Sequence, residues 1–385
     1  MKRGREEKNS HETSPSPTRL RHGGVINIPP DVTVEILKKL PTKSLLRFQC
    51  VSKLWSSIIS SRRDLIDSIV TRSSNEPPRD AHIISLVSSN CFPNRICKSF
   101  IAFSSTTCPG NTDKELVLVP GRYHQSVRGL VCCWSHFPNV VAIYNPTTRQ
   151  SFDLPELKYM HNYMCDFFFG YDPIKNQYKV IFLPRGTWDG SCQVFTLGDP
   201  TAKQWRNIQH DIRPHQTLLG VVCINGTIYY REGTRNPPFL VDIKLMSFDV
   251  RLEKFDHVEA PKVLMHLHRD STLINYKEKL GLISCERAVE IWVMETQGWS
   301  KFFLCEMEDF HSWSIAGTTR GGEIVLVKSV YWSYDKLRVY YYDLKGNSMR
   351  YVELENCYTE NGNRKGYAST IWTGPDHVEN TMGLH

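Results

Sequence analysis

The feature that most constrains the fold of this chain is a recurring unit of four short β-rich runs, clearest over residues 166–210. Asp166 to Tyr171 reads as a strand, Asp172 to Gln177 as a turn and Tyr178 to Leu183 as a second strand. A loop from Pro184 to Gly190 leads to a third strand over Cys192 to Leu197. Gly198-Asp199-Pro200 then turns the chain into a fourth, Trp205 to Ile208. Four strands in about 45 residues is the size of one propeller blade.

The unit recurs about every 50 residues. Its first turn reappears at Arg128-Gly129, Asn225-Gly226, Lys277-Glu278-Lys279 and Gly321-Gly322. Its third turn reappears at Asn145-Pro146, Asp249 to Glu253, Thr296-Gln297-Gly298 and Lys345-Gly346-Asn347. An aromatic opens or lies within each last strand, at Phe152, Trp205, Phe255, Trp299 and Tyr351. Five units are visible between about residues 122 and 355, with β-rich segments left over at 81–120 and 367–373. Joining those two makes a sixth blade and removes the exposed sheet edges, so the chain is expected to close through its C-terminal strand.

Ahead of the repeats, residues 28–59 follow a helical period instead. Pro29 and Pro30 suit a helix start, and Val32, Ile36, Leu37 and Leu40 recur at the spacing of one helical face. Pro41 ends that helix. Thr42 is placed to cap a second, carrying Leu45, Leu46 and Phe48, and Ser52 to cap a third, carrying Leu54, Trp55, Ile58 and Ile59. A segment of about 40 residues buries too little apolar surface to stand alone, so part of its apolar face must meet a partner or the next domain.

The run from Ile28-Pro29 through Val34-Glu35-Ile36-Leu37, Leu40-Pro41, Lys43 to Phe48 and Cys50-Val51-Ser52-Lys53 to Trp55 resembles an F-box, in the form common among plant F-box proteins. The later region resembles the F-box-associated domain of the same family at Ile143 to Arg149, Phe169 to Pro173, Tyr178-Lys179-Val180, Trp205-Arg206 and Pro375 to Asn380. The resemblance implies docking on a Skp-type adaptor, and through it on a cullin, in a ubiquitin ligase. The matching contact positions are Pro29, Ile36, Leu37, Leu40, Pro41, Leu45, Leu46, Val51 and Trp55. The expected architecture is α+β and multidomain: a polar tail over 1–26, a three-helix F-box over 27–72 and a linker over 73–82. A mainly-β domain, a six-bladed propeller, follows over 83–374, and a C-terminal tail over 375–385.

The formal charge of +7 lies entirely in the front of the chain. Residues 1–75 hold 14 Lys/Arg against 7 Asp/Glu, and the remaining 33 of each cancel. An acidic partner suits the helical region, and the balanced large domain gives no support to nucleic-acid binding. The apolar runs are far shorter than a membrane span, and no apolar stretch marks a signal peptide near the start, so the expected location is cytoplasm or nucleus. Twelve cysteines without a CxxC pair point to reduced thiols.

No phosphate loop, GxSxG elbow or HExxH helix occurs, and no cofactor or metal is expected. His266, His268 and Asp270 read as an inter-blade loop, and Tyr340-Tyr341-Tyr342 as a core strand. Loops between second and third strands fall on one rim, and these carry Arg185, Trp188, Arg231, Arg235, Tyr331, Trp332 and Tyr334, residues of the kind that anchor interfaces. That rim is the candidate site for a target protein. The alternatives are an F-box-tethered lectin or small-molecule sensor, and an adaptor-binding protein acting outside the ligase.

Overall fold

The computed structural model describes residues 28–76, 82–88, 98–104, 117–120, 123–136, 139–157, 165–184, 192–198, 204–209, 216–217, 220–236, 240–261, 271–285, 289–305, 313–328, 337–354, 368–375 and 377–384. Four helices come first: α1 Pro30–Lys38, α2 Thr42–Gln49, α3 Lys53–Ser61 and α4 Arg63–Asn75. Pro30 begins α1, where a missing N–H leaves nothing unsatisfied. Ser52 caps α3 by accepting from the Trp55 N–H at 3.1 Å. The cap of α2 is Pro41, and Thr42 is instead the buried first residue of that helix. The fourth helix runs through the expected boundary at 72, because Leu65, Ile66, Ile69, Val70 and Ser73 form one continuous buried stripe.

Val34, Leu37, Leu45, Ile59, Leu65 and Ile69 form the helical core. The apolar residues of α1 therefore divide between two faces. Val34 and Leu37 point inward, while Val32 and Ile36 are 48% exposed. No described helix is long and apolar enough to cross a membrane.

Beyond the helices the described strands pair into six sheets. The first contains β1 His82–Ser88, β2 Lys98–Ser104 and β3 Val117–Pro120; the second, β4 Tyr123–Val127, β5 Leu130–His136, β6 Asn139–Asn145 and β7 Gln150–Asp153. The third contains β8 Cys165–Asp172, β9 Gln177–Pro184, β10 Gln193–Leu197 and β11 Arg206–Asn207. In the fourth, β12 Gln216–Thr217 and β13 Val222–Ile224 both pair with β14 Thr227–Asn236, followed by β15 Leu240–Asp249 and β16 Lys254–Val258. The fifth is β17 Ser271–Tyr276, β18 Lys279–Cys285, β19 Val289–Glu295 and β20 Gly298–Cys305; the sixth is β21 Trp313–Thr318, β22 Ile324–Lys328, β23 Leu337–Asp343 and β24 Ser348–Leu354.

Five of these sheets are contiguous in sequence, and the first is composite. Its innermost strand is β25, Ala368–Pro375, which pairs antiparallel with β1 from His82↔Pro375 to Ser88↔Ala368. The innermost strands neighbour one another in a ring, β25 to β4, β8, β13, β17, β21 and back to β25. Closing the ring leaves only the short edges of these innermost strands, protected around the axis.

Core clusters lie between sheets. Phe167, Phe169, Val180 and Phe195 pack with Leu130, Cys132 and Ile143, while Phe168, Ile181 and Val194 pack on the other face with Ile228, Tyr230 and Phe248. β8 is therefore buried along its whole length, which is why its sequence reads as a continuous apolar run. Gln125 takes a strand's place between blades, donating to the Phe169 carbonyl at 2.9 Å and accepting its N–H at 2.8 Å. Val339 and Tyr341 are buried on one face of β23 and Tyr342 on the other, so the tyrosine run is a core strand on both faces.

Candidate functional site

The turns decide which end of the propeller meets the helices. Asn145 Oδ1 accepts from the Thr147 and Thr148 N–H groups, Asp172 Oδ1 from Ile174 and Lys175, and Asp249 Oδ1 from Arg251 and Leu252. Each carboxylate or amide folds the backbone back on itself, so first and third turns gather on one end of the blades. The helical domain sits on that end. Arg63 donates to the carbonyls of Lys175, Asn176 and Gly198 at 3.4, 3.2 and 3.3 Å. Arg128 pairs with Asp67 and lies over the Tyr171 ring, 4.2 Å from its centroid.

Residues 377–384 are no free tail. Asn380 and Thr381 have no solvent exposure, and Leu384 joins the core between the second and third sheets. Asn145 Nδ2 donates to the Asn380 and Met382 carbonyls, and Asn380 Nδ2 donates to the Arg128 carbonyl and the Tyr178 hydroxyl, all at 2.8–3.0 Å. Sequence resemblance marks Pro375 to Asn380 as part of the F-box-associated domain, but the expectation of a tail over 375–385 is corrected, because the segment has no periodicity that would show its burial. The signal that was available is Asn145, whose side-chain oxygen serves its own turn and leaves its amide N–H groups for something else.

The positions matched to the F-box contact set separate by burial. Pro29, Ile36, Pro41 and Val51 are exposed, and Leu40, Leu46 and Trp55 are half-buried. Leu37 and Leu45, at 1% and 0% exposure, are part of the domain's own core and offer no surface, a correction to their expected contact role. Trp55 stands edge-on to Phe48 at 5.1 Å and so supports the fold as well as the surface. Sequence matching passed over Ile28 and Val32, each 48% exposed, and Leu54, 67% exposed. Exposed Lys43, Arg47 and Lys53 lie among these residues in sequence. The domain thus turns one side to the propeller and leaves apolar and basic groups in solvent on α1 and around the α2–α3 turn, a combination that marks docking surfaces.

Of the expected rim residues, Arg185, Trp188, Tyr331, Trp332 and Tyr334 lie outside the described residues. Arg231 is not a rim residue. β14 extends to Asn236, and Arg231 within it is 5% exposed, its guanidinium donating to the Ser271 hydroxyl and carbonyl. Burial lowers its pKa to about 10, which leaves it charged at neutral pH. Arg235 is also a strand residue, paired with Val241, and not part of a loop.

Among the described residues no three His, Cys, Asp or Glu side chains gather as a metal site. His266, His268 and Asp270 lie outside them. Cys50, Cys132, Cys133, Cys165, Cys192 and Cys223 are free thiols, and burial raises the pKa of Cys132, Cys133 and Cys192.

Comparison with known proteins is consistent with this layout. The F-box domain family matches residues 25–67, and the F-box associated beta propeller domain family matches residues 81–378. Three F-box proteins of Arabidopsis thaliana are similar along the chain. One is 53% identical over 311 residues, covering 77% of this chain and 98% of the relative. A second is 46% identical over the whole of both chains, and a third 37% identical over 93% of this chain and 88% of the relative.

Proposed function

The chain belongs to the F-box proteins that carry an F-box-associated β-propeller, and from that premise we propose that it is a substrate-recognition subunit of a cullin-based ubiquitin ligase. The observation that carries this reading is the exposed apolar set Ile28, Val32, Ile36, Val51 and Leu54 on a domain whose other side is seated on the propeller. Burying an exposed Val, Leu or Ile side chain is worth about 1.5–3 kcal/mol, so a few such residues suffice to anchor an adaptor. The exposed Lys43, Arg47 and Lys53 suit a Skp-type adaptor of acidic character, with the cullin recruited through it.

The propeller end that faces away from the helices carries the loops between second and third strands. There a target protein is held, and ubiquitin transfer is accelerated by proximity, with no residue of this chain taking part in the chemistry. Such a subunit works in the cytoplasm or nucleus.

The test is capture under proteasome blockade. The wild-type chain is expected to recover adaptor, cullin and ubiquitinated targets. Val51→Glu/Leu54→Glu is expected to lose adaptor and cullin while keeping the targets. Loss of all three from a variant with unchanged melting, or recovery of adaptor without cullin from the wild type, refutes the ligase reading.

A further inference from the structure

We infer that residues 377–384 are a clamp that locks the helical domain to the propeller, so that the two domains move as one body. The clamp grips two helices at their C-terminal turns. Glu379 N–H donates to the hydroxyl of Ser73 in the last turns of α4 at 3.0 Å, and Gly383 N–H donates to the Ser60 carbonyl near the end of α3 at 2.8 Å. The last four carbonyls of a helix have no partner within it, so Ser60 offers an acceptor that the helix itself cannot use. The Ser73 carbonyl is another such acceptor, and Arg320 from the β21–β22 turn donates to it. Ser73 is therefore held from both the clamp and the sixth sheet, and it is 2% exposed.

Contact at one point would leave the helical domain free to rotate. Grips on two helices remove that freedom, provided that the segment between them is itself fixed. Asn380 fixes it. Its N–H donates to Thr147 Oγ1 at 2.9 Å, its side-chain amide reaches Arg128 and Tyr178, and its own carbonyl accepts from Asn145. Leu384 N–H donates to Gln150 Oε1 at 3.1 Å and its side chain enters the propeller core.

Apart from the part-buried Arg320 bond to Ser73, the direct bonds between the domains are weaker supports. Arg63 makes its three from exposed positions, and Arg128 and Asp67 are 32% and 43% exposed, where ion pairs contribute little. A helical domain this small is marginal by itself, so losing the clamp should show as local opening of the helices.

Hydrogen exchange on the full chain, read by mass spectrometry, measures that opening. Ser73→Ala removes the hydroxyl that accepts from Glu379 and leaves every propeller-side contact in place; Thr71→Ala, on an exposed position of the same helix, is the control. Ser73→Ala is expected to speed exchange of α3 and α4 amides roughly tenfold, with β8 and β9 unchanged and Thr71→Ala like wild type. Unchanged α3 and α4 exchange in Ser73→Ala overturns the clamp. So does a parallel loss of protection in β8, which would make the segment an ordinary part of the propeller rather than a joint. Neither readout depends on adaptor or ligase.

Discussion

Gly129→Ala isolates how much the buried C-terminal segment contributes to stability. Gly129 has φ +84°, and a Cβ there would lie 2.2 Å from the Val378 carbonyl oxygen and 3.0 Å from Asn380 Cβ. Holding alanine at positive φ costs about 1–2 kcal/mol. The Val378 oxygen cannot stay at that distance, and because it is backbone, the segment must move with it. Asn380, two residues on, then gives up some of its bonds to Thr147, Arg128 and Tyr178. Losing about two of them, at roughly 1 kcal/mol each, brings the total to about 3–4 kcal/mol. Gly298→Ala is the contact-free comparison, since Gly298 also has a positive φ, +122°, and has nothing within 4 Å of the added Cβ. It should cost only the conformational share, about 1–2 kcal/mol. Urea unfolding followed by tryptophan fluorescence, compared at equal slope, gives both values. If Gly129→Ala falls within about 0.5 kcal/mol of Gly298→Ala, the segment is not packed where the structure has it.

Two further outcomes concern charge and thiol chemistry. Burial pushes the Glu253 carboxyl up, but hydrogen bonds from Arg206 and Lys179 and their charges outweigh it and hold its pKa below the usual 4.5. A folded value below the unfolded one adds stability that is present above about 4.5 and lost as pH falls through the folded value. The stability gap between wild type and Glu253→Gln should therefore hold from neutral pH down to about 5 and shrink below it; a gap independent of pH counts against the pairing. Cys192, whose thiol is pushed up to about 12 by burial, should resist iodoacetamide in the native chain, while exposed Cys50 is alkylated. Peptide mapping that finds the two labelled at equal rates contradicts the packing of the third sheet.

Much of the fold was legible because turn chemistry is local. Asn225-Gly226 takes φ +46° and +84°, and Arg128-Gly129 +46° and +84°, conformations that the flanking strands require and that these residues advertise. Burial was less legible, because it depends on what lies across space. Leu37 and Leu45 fit the motif as well as Ile36 and Val51 do, yet the first pair enters the helical core with Ile59, Leu65 and Ile69 and the second stays exposed. The sequence reading sets Arg231 in the loop between second and third strands. The strand continues through it to Asn236, and Ser271 of β17 accepts from both terminal nitrogens of the guanidinium. The resemblance at Pro375 to Asn380 places the start of residues 377–384 in the domain, but no periodicity within them shows burial; their partners Asn145, Gln150 and Ser73 lie far away in sequence.

Docking of the helical face on a Skp-type adaptor is measured by calorimetric titration of recombinant adaptor into the full chain. We expect saturable one-to-one binding. Val51→Glu/Leu54→Glu, which changes exposed residues only, should weaken it by roughly 100-fold, the effect of losing about 3 kcal/mol, without lowering the melting temperature. Absence of binding by the folded wild-type chain, or an affinity that the double substitution leaves unchanged, would contradict it.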